Sequence, residues 1–154
     1  MSINYDLNDL VNNMIELEIT GAAFYSGQAG SRQQPLLVAL FQDLAEQEKK
    51  HQAVYEQLRD NIAGEAPLDD DSSAYLRDII ERKFHLDPSA AAQCETAAAV
   101  IDLAMRLEQD SILFVETFGK MTGERHAAMV GRIKGQEEQH LRRLTELKAA
   151  LAGN

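Results

Sequence analysis

Four long stretches of helix-favouring sequence dominate this chain. They are rich in Ala, Leu, Glu, Gln and Arg, which favour helix over strand. The 154 residues include only 3 Pro and 9 Gly, which punctuate the sequence at a few places. The pattern predicts helices over about residues 8–29, 35–61, 96–121 and 124–151. A chain of this length is enough for one domain with a sizeable core, so we expect a single all-α domain over residues 1–154.

The connections between these helices are unequal. Two are short, whereas a connector from Ile62 to Glu95 separates the second helix from the third. Within it, Ser72 to Lys83 has the pattern of a short extra helix. A connector this long allows the second and third helices to lie parallel after a crossover. We therefore expect a ferritin-like four-helix bundle, with two helical hairpins joined by a long crossover that contains a short extra helix.

Each long helix carries one glutamate in an otherwise largely apolar stripe. At about 3.6 residues per turn, these inward positions are Glu18, Glu48, Glu108 and Glu137. Each lies roughly 10 to 14 residues into its helix, which at about 1.5 Å per residue places all four near the midplane of the bundle. Two histidines, His51 and His140, follow Glu48 and Glu137 at i+3 and so share their faces.

Four carboxylates in an apolar core cannot all stay ionised without compensating positive charge. Two histidines cannot supply four charges, but two divalent or trivalent cations can. Carboxylate and imidazole ligands without thiolate suit iron or manganese, and they are not a structural zinc pattern. The sequence therefore predicts a site for two iron ions, with manganese or zinc as substitutes. Its predicted ligands are Glu18, Glu48, His51, Glu108, Glu137 and His140.

Composition narrows the possible partners and the compartment. The net charge of −10 repels phosphate, so we expect no nucleic-acid partner. The sequence shows neither a signal peptide nor an apolar run long enough to span a membrane, so we expect no membrane association. Cys94, the single cysteine, excludes a disulfide within the chain. These features predict a cytoplasmic protein.

Several other residues give weaker signals. Tyr25 and Tyr55 lie on the stripes that carry the ligands, where they either hydrogen-bond a ligand carboxylate or pack in the core. His85 and His126 lack the spacing of the other two histidines, which predicts ordinary loop or surface positions. Cys94 is either a buried small residue or an incidental thiol.

The ligand pattern occurs twice and resembles a known family. Glu18 precedes Glu48 by 30 residues, Glu108 precedes Glu137 by 29, and a Glu-x-x-His frame closes each half. With "LEITGAAFY" opening one half and "LEQDSILF" the other, residues 8–150 resemble the ferritin-like domain of rubrerythrins. The resemblance implies a non-haem di-iron centre at the six predicted ligands, peroxide reduction or iron oxidation, and a homodimer.

The sequence also departs from the rubrerythrin pattern. Rubrerythrins proper append a rubredoxin-like domain with two CxxC pairs, and this sequence has no such pair. We therefore expect electrons from an external donor, a rubredoxin-like protein or another reductant. Ser111 stands where those enzymes usually carry an extra glutamate, so the six-ligand set is also similar to that of bacterioferritin. The two Glu-to-ExxH intervals are shorter than is usual in the family, as in a divergent branch.

Three functions remain open from the sequence. The first is a rubrerythrin-like di-iron oxidoreductase of the peroxidase or ferroxidase type, reducing hydrogen peroxide or dioxygen, in which Glu48 and Glu137 bridge the metals. Glu18 and Glu108 would then be terminal ligands, and His51 and His140 would each bind one metal. The second is a ferroxidase or iron-storage function, in which the same site oxidises Fe(II) and passes it on. The third is a hydroxylase acting on a larger substrate.

Overall fold

Six α-helices account for most of the residues that the structure describes. In this computed structural model the described residues are 4–62, 65 and 67–152. No strand occurs among them. A short 3₁₀ turn, Gly123–His126, precedes the last helix. The helices are α1 (Leu7–Ser31), α2 (Pro35–Asn61), α3 (Asp70–Glu81), α4 (Pro88–Gln93), α5 (Ala97–Thr122) and α6 (Ala127–Ala152).

Polar side chains define where the helices begin. Asp6 accepts a hydrogen bond from the Asp9 amide, and Asp9 accepts one from the Asp6 amide, which forms a capping box at α1. Thr96 caps α5 by accepting from the amide of Ala99. α2 begins at Pro35, whose missing N–H is not needed in the first turn. Gly123 follows α5 with a φ of +62°, a conformation that favours glycine.

The apolar core consists of two clusters at opposite ends of the bundle. Along α1 the first cluster takes residues from Leu7 to Leu17, and the second takes Phe24 and Tyr25. α6 meets the clusters in the same order, whereas α2 and α5 both meet them in the reverse order. α2 and α5 therefore run parallel to each other and antiparallel to α1 and α6. The two hairpins, α1–α2 and α5–α6, and the crossover between them confirm the predicted ferritin-like arrangement.

The crossover is fastened along the bundle by specific contacts. α3 packs against α1 and α5. After α3, Lys83 Nζ donates to Asn13 Oδ1 at 3.0 Å, and the Phe84 amide donates to Asp110 Oδ2 at 2.8 Å. The Arg106 guanidinium lies 4.0 Å from the centre of the Phe84 ring. These contacts hold the segment between α3 and α4 against helices that come from both hairpins.

The structure differs from the sequence prediction in a few local details. The short extra helix begins at Asp70 rather than Ser72, because Asp69 is its N-cap. α4 was not predicted, although Asp87 before Pro88 is a helix-start signal. Among residues 4–62, 65 and 67–152, no helix is long and apolar enough to cross a membrane.

Some inward positions lie at the margin of the core. Helical periodicity also places four further apolar residues on the inner faces of their helices, but they are only half-buried, because periodicity does not define where a buried face ends. They are Met105, Ile112, Val130 and Leu141.

Candidate metal centre

The six predicted ligands converge in a polar layer between the two apolar clusters. α1 supplies Glu18 and α5 supplies Glu108. α2 supplies Glu48 and His51, and α6 supplies Glu137 and His140. None of the six is more than 3% exposed. The six side chains therefore point inward, and they lie between the two apolar clusters.

The polar layer divides into two overlapping groups of potential ligands. One contains Glu18, Glu48, His51 and Glu137, and the other contains Glu48, Glu108, Glu137 and His140. Within each group, one donor atom from every residue lies within 4.8 Å of the donor atoms of the others. Glu48 and Glu137 belong to both groups, whereas the other four residues belong to one. This is the arrangement that two neighbouring cations sharing two carboxylates require.

Both histidines direct the same ring nitrogen into the layer. His51 Nδ1 lies 2.5 Å from Glu137 Oε1 and 3.8 Å from Glu18 Oε2. His140 Nδ1 lies 3.5 Å from Glu137 Oε2 and 3.1 Å from Glu48 Oε1. The two oxygens of Glu137 thus face different histidines, as expected of a carboxylate that bridges two metals.

Burial controls the protonation of three of the four carboxylates. It raises the pKa of Glu18 and of Glu48 well above the usual value, and the neighbouring glutamates add to the effect. Burial also raises the pKa of Glu108, to about 8. Glu137 differs, because its close contacts with Glu108, His140 and His51 outweigh its burial and lower its pKa. Without metal, burial thus favours the protonated form of three of the four carboxyl groups.

The two imidazoles respond to the same carboxylates. Burial favours the neutral ring, but contact with Glu137 outweighs it and raises the pKa of His51 to about 9. The pKa of His140 is raised to about 11, because contacts with Glu108, Glu137 and Glu48 likewise outweigh its burial. In the metal-free layer, protons on these carboxyl groups and imidazoles thus provide the positive charge that bound cations would otherwise supply.

The donor set fits a pair of metal ions. Several buried donor atoms in the layer lack a hydrogen bond of acceptable geometry, which is costly for groups removed from water. These orphaned atoms include Glu18 Oε2, Glu48 Oε1, Glu108 Oε2, both carboxylate oxygens of Glu137, and Nδ1 of both histidines. All are oxygen or imidazole nitrogen atoms, which suits iron or manganese. Metal ligation would satisfy them together.

Tyr25 supports one of the ligands directly. Its hydroxyl donates to Glu108 Oε1 at 2.6 Å, and the ring is fully buried. Burial and the neighbouring glutamates raise the pKa of Tyr25 well above its usual value, so the hydroxyl keeps its proton. Of the two readings of Tyr25, the structure thus favours the hydrogen bond to a ligand. Tyr55 is buried in the first apolar cluster, which favours core packing.

Two features of the layer could not be predicted from the sequence. The first is the contact of Gln136 Oε1 with His51 Nε2, at 2.8 Å. The one sequence feature that could have suggested it is the position of Gln136 directly before Glu137. Gly21, one turn after Glu18, lies against Glu48, since a Cβ at this position would be in ordinary van der Waals contact with Glu48 Cγ at 3.5 Å. Ser111 holds the corresponding place after Glu108 and is also buried.

The remaining singled-out residues lie away from the layer. His85 is exposed, as predicted. His126 is half-buried, and its Nε2 lies 2.6 Å from Glu65 Oε1 while its ring packs against Phe118. Cys94 is a half-buried free thiol whose Sγ donates to the carbonyl of Ala90.

Fold and site together define a four-helix bundle with a buried glutamate–histidine centre for two metals. The family model described as Rubrerythrin matches residues 9–148. A solved structure from Thermotoga maritima, of a candidate ferritin-like diiron-carboxylate protein, is similar over 97% of this chain and 98% of that one. Its TM-score is 0.77 at 23% sequence identity, a likeness that concerns the fold. None of the curated proteins compared with the chain matches it.

The family match extends over nearly the whole chain and includes all six residues of the centre. This protein therefore belongs to the rubrerythrin family.

Proposed function

We propose that this protein is a non-haem di-iron oxidoreductase that reduces hydrogen peroxide or dioxygen. The observation that carries the proposal is the pair of overlapping, fully buried ligand groups that share Glu48 and Glu137. A structural metal site needs only one closed coordination shell. Two adjacent sites with shared carboxylates suit chemistry that moves two electrons together.

The geometry supports a distinct role for each ligand. Glu48 and Glu137 would bridge the two metals, Glu18 and His51 would hold one, and Glu108 and His140 would hold the other. When bound, an iron pair supplies two electrons to the O–O bond of a small oxidant. Reduction of peroxide to two waters also consumes two protons. An external donor, a rubredoxin-like protein or another reductant, would restore the electrons.

The residues around the centre favour a small substrate, and one of them can keep a proton beside the centre. All six ligands are buried, which favours molecules of the size of peroxide or dioxygen over a larger hydroxylase substrate. The hydroxyl of Tyr25 stays protonated 2.6 Å from Glu108 and so keeps a proton next to the centre. The apolar clusters on both sides exclude bulk water from this layer.

Ser111 favours a second candidate function. Because it replaces the extra glutamate usual in rubrerythrins, the ligand set has six members, as in a ferroxidase centre. In that case the same site would oxidise Fe(II) with dioxygen and pass the product on, as an iron-storage or iron-handling protein does. The two functions differ in the preferred oxidant and in the amount of iron retained.

Anaerobic loading with Fe(II) followed by rapid mixing with peroxide or oxygen tests both functions. We expect two irons per chain, faster reaction with peroxide than with oxygen, and elution as a homodimer. Preference for oxygen with continued iron uptake into a large assembly would favour the ferroxidase. Failure to bind two irons would overturn the di-iron centre itself.

Matched variants test the ligand assignment. Replacing Glu48 or Glu137 by Ala should abolish loading, because each is expected to contact both metals. Glu46→Ala is the control, since Glu46 lies on the same helix as Glu48 with its side chain 66% exposed. If the Glu48 variant binds two irons with unchanged spectra, the assignment is wrong.

The predicted cytoplasmic location stays a prediction.

A further inference from the structure

The two nitrogens of His51 have different surroundings. Nδ1 faces the carboxylates of the centre, at 2.5 Å from Glu137 Oε1. Nε2 points the other way and lies 2.8 Å from Oε1 of Gln136, a half-buried side chain on α6. α6 therefore contacts this imidazole from both sides, with Glu137 at one nitrogen and its sequence neighbour at the other.

The orientation of the Gln136 amide is coupled to the position of the ring proton. An amide oxygen only accepts, so it requires a proton on His51 Nε2 and leaves the lone pair of Nδ1 free for a metal. The flipped amide would donate to Nε2, and the neutral ring would then carry its proton on Nδ1, where it blocks metal binding. Only the first arrangement is compatible with ligation through Nδ1, and the amide in this structure has the matching orientation, with Gln136 Oε1 facing Nε2.

Among the described residues, the half of the centre that contains His140 has no equivalent glutamine contact. Gln47 directly precedes Glu48, as Gln136 precedes Glu137, so the repeat predicts a contact between Gln47 and His140. Gln47 instead lies beside Asp43, where it and Arg143 help to lower the pKa of that carboxyl group, which accepts a hydrogen bond from Arg143 Nη1 at 2.6 Å. Within the described part of the chain, no side chain makes a hydrogen bond to His140 Nε2. Support in this half comes from Tyr25, which donates to the terminal ligand Glu108.

We propose that Gln136 is a positioning residue, which holds His51 in the orientation and tautomer that present Nδ1 to the metal shared with Glu18. The inference rests on the proposed di-iron centre and makes its two halves unequal. The half that contains His51 depends on the acceptor at Gln136. The half that contains His140 does not depend on Gln47.

Metal binding by three matched variants tests this role. Gln136→Leu removes the acceptor at similar size, Gln136→Glu keeps an acceptor, and Gln47→Leu makes the same change at the equivalent position of the repeat. In anaerobic Fe(II) titrations against a competing chelator, we expect Gln136→Leu to weaken one of the two binding steps by about 10- to 100-fold. Gln136→Glu should restore that step, and Gln47→Leu should leave both steps within about threefold of the wild type.

The ring nitrogens give a readout that a general loss of stability would not produce. In protein loaded with Zn(II), nitrogen chemical shifts of His51 should show Nδ1 bound to metal and a proton on Nε2 that exchanges slowly with water. In Gln136→Leu the Nε2 proton should exchange faster, or ligation should shift partly to Nε2.

Three results would overturn the inference. Ligation of wild-type His51 through Nε2 is the first, and equal metal affinities for Gln136→Leu and wild type is the second. The third is an equal loss of affinity in Gln136→Leu and Gln47→Leu. In all three the wild type still binds two metals and the proposed function survives, whereas a wild type that binds no metal refutes both.

Discussion

Metal binding should release about five protons per pair of divalent ions at pH 7. The count follows from the protonation of the metal-free layer. Burial raises the pKa of Glu108 to about 8 and raises the pKa values of Glu18 and Glu48 well above the usual range, so we expect these three carboxyl groups to hold one proton each. His51 and His140 are both imidazolium rings, with pKa values of about 9 and about 11. As ligands, all four glutamates are ionised and both rings are neutral, so these protons must leave.

The charge balance supports this count. Without metal, the ionised Glu137 and two imidazolium rings give the layer a net charge of about +1 at pH 7. Adding two dications and removing about five protons brings it to zero, the value that a buried site favours. Loading with fewer protons released would leave net positive charge inside the apolar core.

Calorimetric titration with Zn(II) or anaerobic Fe(II) measures the release. The apparent binding enthalpy is compared in two buffers of the same pH and different ionisation enthalpy, and the difference gives the number of protons. At about pH 10 the count should fall by about two, because Glu108 and His51 have then already lost their protons. Glu46→Gln, a change at an exposed carboxylate, should leave the count unchanged. Release of one proton or none at pH 7 would refute the reasoning.

Three further predictions concern stability, measured by urea unfolding of the metal-free protein. The free energy of unfolding should fall as the pH rises from about 6 to 9, because Glu108, His51 and His140 hold protons in the folded state that the unfolded chain has lost. An increase in the free energy of unfolding over that range would contradict the raised pKa values of these three residues. Tyr25→Phe should cost about 1 kcal/mol through loss of the hydroxyl's bond to Glu108, and Tyr55→Phe should cost less; the reverse order would argue against that hydrogen bond. Gly119→Ala should cost about 1–3 kcal/mol, because the added Cβ would lie 2.9 Å from Val130 Cγ1. Combining it with Val130→Ala should recover part of that loss, and an unchanged stability of Gly119→Ala alone would show that Val130 moves aside.

The residues of the candidate metal centre could be predicted from the sequence because the pattern that identifies each of them lies within a single helix. A glutamate in the middle of an apolar stripe is visible within one helix, and the 3.6-residue period fixes its direction. Glu18, Glu48, Glu108 and Glu137 are each detectable in this way, and His51 and His140 follow at i+3. The unequal connectors then suffice to predict two hairpins and a crossover, which the order of the helices across the two apolar clusters bears out.

Contacts between distant helices could not be obtained in this way. Tyr25 and Glu108 are 83 residues apart, and Gln136 and His51 are 85 apart, so both pairings depend on the rotation and register of one helix against another. Helical periodicity specifies which face of a helix is buried but not which side chain stands opposite. For Tyr25 it therefore left hydrogen bonding and core packing equally open, and it gave no indication of a contact for Gln136.

The sequence by itself thus determined the helices, the inward direction of six candidate ligand side chains and their common height in the bundle. Only the tertiary structure decided that both histidines present Nδ1, that the two oxygens of Glu137 face different histidines, and that Gln47 does not do for His140 what Gln136 does for His51. The first set follows from the geometry of a single helix. The second depends on how four helices pack, where shifts of an ångström select one partner atom over another.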